Sequence, residues 1–161
     1  MDVASLVCEL CRNSYTVATA ESCTGGLIAS SIVDVSGASD CFNEGYVTYS
    51  NQAKMKNLGV SADTLKSVGA VSKETATEMA LGVRRVANAT FGLSSTGIAG
   101  PTGGTEAKPV GLVYIGCAYS DKDCVVKELH LKGDRSQVRV AAAKEALNLL
   151  AECMDKLRVM A

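Results

Sequence analysis

A chain of 161 residues with 47% apolar residues, 2 Phe, 5 Tyr and no Trp suits one domain, residues 1–161, whose core is built from Ala, Val, Leu and Ile. The formal net charge of −1, from 16 basic and 17 acidic residues, gives no electrostatic reason to expect a nucleic-acid partner. No run of about 18 apolar residues argues for a membrane span.

The opening MDVASLVCELCRN has an Asp at position 2, no basic lead and an amphipathic pattern, so it does not read as a secretory signal. Val3, Leu6, Val7 and Leu10 recur at helical spacing and predict a first helix. Cys8 and Cys11 form a lone CxxC with no second pair to complete a zinc site. The seven cysteines, an odd number lying mostly in helix-like or strand-like segments, point to reduced thiols in a cytoplasmic protein.

YTVATA, residues 15–20, is β-branched and apolar and predicts a buried strand. Ser22 to Gly26 make a turn, LIASSIVDV continues as helix, and GASD ends it. GYVTYS, residues 45–50, predicts a second strand, and NQAKMKNLGV a short helix with Asn51 as N-cap and Gly59 as stop. Ser61 caps another short helix, and Ser72 a longer one with Glu74 in its first turn. FGLSSTG, residues 91–97, is a strand that runs into the glycine-rich loop IAGPTGGTEAKP, which holds both prolines, Pro101 and Pro109. VGLVYIGCAYS and CVVKELHLK are strands joined through Asp121-Lys122-Asp123, a hairpin signal. Asp134 caps a long final helix. Early strands alternate with helices and a late hairpin adds a reversed strand. The product is a three-layer α/β/α sandwich around a mixed, mostly parallel sheet of about five strands, one of them antiparallel.

In such sheets sites form in loops after the carboxyl ends of strands. Three loops qualify here: Glu21-Ser22-Cys23-Thr24-Gly25-Gly26, whose glycines expose backbone N–H groups; Tyr49-Ser50-Asn51, followed one turn later by Lys54; and Thr96 to Thr105. Each alone is a weak signal. A serine beside glycines is usually a cap, a helical lysine is usually solvated, and a tyrosine or threonine at a strand end usually packs or satisfies loop backbone. Neither GxxxxGK[ST] nor GxSxG occurs. The single histidine, His130, leaves a Ser-His pair possible only through this residue, and alternation puts it on the polar side of a strand, as a solvated histidine.

Taken in order, AESCTGG, YVTYSNQAKMKNLGV, STGIAGPTGGT, KPVGLVYIG and GDR resemble the CinA C-terminal domain family, whose stand-alone members are similar to the nicotinamide mononucleotide amidohydrolase PncC. The resemblance covers about residues 4 to 155. It implies the three-layer fold and hydrolysis of the carboxamide of nicotinamide mononucleotide to the acid mononucleotide and ammonia, without a metal or other cofactor. It also implies Ser22 as nucleophile, Lys54 as its general base, and supporting roles for Tyr49, Thr96 and Arg135.

Such a dyad needs a lysine that sheds its proton. Lys54 must therefore be desolvated, with neither Glu21 nor Glu44 against it. Tyr49 would orient Lys54 or relay the proton. Backbone N–H groups of Cys23 to Gly26 would hold the oxyanion, with Thr24, Gly25 and Gly26 forming part of the substrate site. Arg135 would take the phosphate, and Thr96 the substrate or Lys54. Cys23, at the same turn, is the rival nucleophile. The partner expected is a small nucleotide, with neither nucleic acid nor membrane, and a homo-oligomer is compatible. Two other functions stay open: a non-catalytic nucleotide-binding or interaction module, and an amidase for another small amide.

Overall fold

The computed structural model describes all 161 residues. In chain order the elements are α1 (Val3–Arg12), β1 (Val17–Glu21), α2 (Leu27–Val33), a 3₁₀ turn (Ala38–Asp40), β2 (Phe42–Val47), α3 (Asn51–Leu58), α4 (Ala62–Val68), α5 (Lys73–Ala87), β3 (Phe91–Gly97), β4 (Leu112–Ala118), β5 (Cys124–His130) and α6 (Arg135–Met160). The five strands form one sheet in the order β2-β1-β3-β4-β5. β1 runs parallel to β2 and β3, β4 is antiparallel to β3, and β5 is antiparallel to β4. One strand of five, β4, is thus reversed, as expected.

Several boundaries differ from the sequence reading: β1 spans Val17–Glu21 rather than 15–20, and β2 ends at Val47 rather than Ser50. β2 begins at Phe42 rather than Gly45, because β1 pairing recruits the preceding residues: Val17 sits opposite Phe42, and the Val17 N–H donates to the Cys41 carbonyl at 2.8 Å. The N-cap of α3 is Ser50, not Asn51. The Ser50 hydroxyl accepts from the Ala53 N–H at 3.0 Å, and Asn51 is the first helical residue. The other caps fall where the sequence placed them. Ser61, Ser72 and Asp134 each accept a backbone N–H of the helix they precede, and Asp134 shares a capping box with Gln137.

Alternation along the strands divides the core between the two faces. Val17, Phe91, Leu93, Val113, Ile115 and Cys117 point toward α1, α2 and α6, where Leu6, Leu10, Ile28, Ile32, Leu149 and Leu150 are fully or almost fully buried. Tyr15 meets Phe91 edge-on at 5.6 Å, a geometry worth about 0.5–1.5 kcal/mol beyond area burial. The opposite face is built from small residues. Ala18 and Ala20 pack with Leu58, Met79 and Val83 of α3 and α5. Gly92 belongs to this close approach, since a Cβ there would stand 2.1 Å from the Ala80 carbonyl oxygen of α5. A chain without Trp fills this layer by bringing helix and sheet backbones together.

β1 leads into α2 on one face, while β2 leads into α3 to α5 on the other. The carboxyl ends of these adjacent strands therefore open onto a crevice where the chain changes sides, the usual place for a ligand in an α/β sheet. All seven cysteines are free thiols, and no helix is long and apolar enough to cross a membrane.

Candidate active site

The loop after β1 places Ser22 on this crevice. Its N–H donates to the Ser95 carbonyl at 2.9 Å, and its carbonyl accepts from the Gly25 N–H at 3.1 Å. Across the crevice α3 carries Lys54 on its inward face, in line with Leu58 one turn on. Lys54 is 1% exposed. Its Nζ lies 3.0 Å from Ser22 Oγ and donates to the Thr48 carbonyl at 2.8 Å. That carbonyl is the first after β2, so the strand end aims the amine at the serine.

No carboxylate touches Lys54. Glu21, the residue before Ser22, is also buried, but its carboxylate turns to the other side. It accepts from the Thr24 hydroxyl at 2.6 Å and from the Ile28 and Ala29 N–H groups at 2.8 and 3.0 Å. Glu44 accepts from the Tyr46 hydroxyl. Burial is then the main influence on the amine, and it lowers the Lys54 pKa to about 8, against a small opposing effect of Cys23. Burial acts on the neighbouring Cys23 thiol in the other direction, raising it to about 11. Cys23 is thus held as a neutral thiol packed into the core.

The cleft over this pair measures about 260 Å³ and is lined by Ser22, Cys23, Tyr49, Lys54, Thr96 and Arg135, with Ala70, Val71 and the 97–103 loop closing it. Another hollow, of about 310 Å³, opens between α1, α2 and α6; Leu6, Leu27, Val140 and Leu147 line it, with no paired nucleophile and base. Three sequence expectations need correcting. Tyr49 is exposed and its hydroxyl accepts from Arg135 Nη2 at 2.9 Å, so it meets the arginine and not Lys54. The Thr96 hydroxyl donates to the Ala70 carbonyl at 2.8 Å, tying the end of β3 to the loop before α5, so it does not position Lys54, although Thr96 stays on the cleft wall, where the other expectation is a substrate contact.

Thr24, Gly25 and Gly26 do not line the cleft. Thr24 is fully buried under the turn, between Glu21 and the Ser95 hydroxyl at 2.6 Å, because the buried carboxylate needs its donor. The glycines, at φ +58 and +105, supply turn geometry. Arg135 does face the cleft. Its guanidinium donates to the Gly100 carbonyl at 2.8 Å as well as to Tyr49.

Two contributors escaped the sequence reading. The Thr48 carbonyl is backbone and leaves no mark on the residue pattern. Arg139 donates to the carbonyls of Cys23 and Thr24 at 3.0 Å each. Its spacing of four from Arg135, on one face of α6, was the available signal.

An α/β/α sandwich with a buried lysine against a serine at the strand crossover defines the class of protein. The sequence profile of the CinA C-terminal domain matches residues 2–154, and the chain belongs to that family. A Thermoanaerobacter pseudethanolicus protein named for competence-damage induction is 59% identical over 139 residues, covering 86% of this chain and 33% of its own length. A CinA-like protein of Kosmotoga olearia is 54% identical over 143 residues, covering 89% and 34%. The chain spans about a third of the length of these curated relatives. Among solved structures, the Agrobacterium tumefaciens competence/damage inducible protein CihA superposes with a TM-score of 0.88 at 38% identity, covering 94% of this chain and 95% of that one. A CinA superfamily protein of Escherichia coli superposes with a TM-score of 0.89 at 34% identity, covering 94% and 87%.

Proposed function

We propose that the chain is a Ser-Lys amidohydrolase that converts the carboxamide of nicotinamide mononucleotide to the carboxylate and ammonia, a step of pyridine-nucleotide salvage. The observation that carries this is the 3.0 Å approach of a buried, unpaired Lys54 amine to Ser22 Oγ. A lysine at the reference pKa of about 10.4 is roughly 0.04% neutral at pH 7. At the lowered value of about 8 the neutral fraction is roughly a tenth, a gain of about two hundredfold.

Neutral Lys54 accepts the Ser22 proton as Oγ bonds to the amide carbon. The resulting ammonium then passes that proton to the leaving nitrogen as the C–N bond breaks, releasing ammonia and leaving an ester on Ser22. Water, deprotonated by the same amine, cleaves the ester and restores the serine. The Thr48 carbonyl keeps the amine in place through both steps. The raised pKa of Cys23 disfavours its thiolate as the attacking group. Arg135, exposed at the cleft rim, suits the phosphate of a substrate whose nicotinamide ring enters first.

The test is ammonia release, with EDTA present, from nicotinamide mononucleotide, its riboside and free nicotinamide. Release from the mononucleotide that is lost in Ser22→Ala supports the reading. Preference for another amide reassigns the substrate, and no release from any of them favours a binding module.

A further inference from the structure

Arg139 reaches from the second turn of α6 to the Ser22 loop, 116 residues earlier in the chain. Its Nε donates to the Cys23 carbonyl and its Nη2 to the Thr24 carbonyl, both at 3.0 Å. With the Ser22 carbonyl held by the Gly25 N–H, three consecutive carbonyls at the turn are fixed. In a trans peptide the C=O and the following N–H point in opposite directions. Fixing the Ser22 carbonyl inside the turn therefore directs the Cys23 N–H outward. No backbone carbonyl accepts this N–H, whose one neighbouring acceptor is the residue's own thiol, and Cys23 lines the cleft beside Ser22. Gly25 makes room for the clamp: its backbone is left-handed at φ +58, and a Cβ there would stand 3.1 Å from Arg139 Nη2. The guanidinium charge also reaches this spot, since it favours the ionised form of the Cys23 side chain against the effect of burial.

We infer that Arg139 is a positioning residue: holding the Thr24 carbonyl fixes the Gly25 N–H of the same peptide, that N–H holds the Ser22 carbonyl, and the Cys23 N–H thereby stays aimed at the oxyanion formed when Ser22 attacks a carbonyl carbon. The inference rests on the proposed role of Ser22 and adds a residue that touches neither substrate nor reacting atoms. A donor that lets go of a developing oxyanion costs about 10²–10³ in rate, so loosening its support costs somewhat less.

The test uses the full chain with Arg139→Ala and Arg139→Lys, read in two ways: ammonia release from nicotinamide mononucleotide, and the rate at which a fluorophosphonate modifies Ser22. The second readout needs no knowledge of the natural amide. Arg139→Ala is expected to lower kcat and the labelling rate about 100-fold, with KM within threefold of wild type. Millimolar methylguanidinium should restore at least tenfold of both, whereas a fold defect would not respond to it. Arg139→Lys, which keeps the charge but not the two-pronged grip, should lose about tenfold and settles the matter if the alanine variant does not fold. Wild-type rates in both variants, or a loss confined to KM, would overturn the inference. A wild-type protein that labels at Ser22 but spares the mononucleotide overturns only the substrate assignment, and the labelling rates then decide the role of Arg139. A wild-type Ser22 inert in both assays overturns both.

Discussion

Glu21 and Lys54 flank Ser22, one by sequence and one across the crevice, and both are buried to 1% exposure, yet they form no ion pair. The carboxylate is taken up by the Thr24 hydroxyl and two N–H groups at the start of α2. This separation keeps the lysine amine free of an anion that would hold its proton. It also sets the first expectation. Glu21→Gln replaces an acceptor oxygen with an NH₂ group facing backbone donors, and hydrogen bonds to a buried charge are worth about 1.5–3 kcal/mol each. Urea unfolding should show a loss of about 2–3 kcal/mol; an unchanged midpoint would mean that the carboxylate does not hold the turn.

The lysine carries a stability cost with a defined pH dependence. Its pKa is about 8 in the folded chain and about 10.4 unfolded. Between these values the unfolded state binds more protons, so stability rises with pH across that window. Below pH 8 the full cost of about 3 kcal/mol applies. Lys54→Met should therefore be more stable than wild type at pH 7, and the gap should narrow between pH 8 and pH 10. Denaturant titrations of both proteins at pH 7 and pH 10 measure this, and a gap that is constant with pH would refute it.

Cys23 should prove unreactive. Its thiol is buried and raised to about 11, whereas Cys8 is exposed. Alkylation followed by peptide mass mapping should modify Cys8 well before Cys23. Cys23→Ala should keep most of the proposed amidase activity, which Ser22→Ala should abolish. Activity lost in the cysteine variant alone would reverse the two roles.

Arg135 and Lys54 should separate kinetically. Arg135 stands exposed at the first position of α6, where the helix dipole disfavours a cation. Arg135→Ala should therefore cost little thermal stability while raising KM about tenfold or more, with a smaller change in kcat. Lys54→Ala should lower kcat by 10³ or more, because without a base the serine hydroxyl keeps its proton. Steady-state kinetics of the two variants would show the split, and equal effects on KM would contradict it.

The fold was legible because its signals are local. Ser61, Ser72 and Asp134 precede periodic segments and do cap them, Gly59 ends α3 at φ +71, and the Asp121-Lys122-Asp123 turn signal lies between β4 and β5. The start of β2 was misplaced because Phe42 becomes strand only through pairing with Val17, a contact between distant parts of the chain. Ser22 and Lys54 were legible through the family resemblance alone, since a lysine in NQAKMKNL looks solvated until α3 is packed. The actual partners of Tyr49 and Thr96 were not legible, because a motif names residue types but not the direction a hydroxyl takes: one meets Arg135, the other the Ala70 carbonyl.

The proposed hydrolysis turns on a Lys54 amine that is roughly a tenth neutral at pH 7. The most direct measurement is kcat/KM for ammonia release from nicotinamide mononucleotide between pH 6 and pH 10, in wild type and Lys54→Ala. The expected wild-type profile climbs tenfold per pH unit and levels off with an apparent pKa near 8, and the variant lacks both the limb and the activity. A profile flat through pH 8, or a Lys54→Ala enzyme with wild-type turnover, would contradict it.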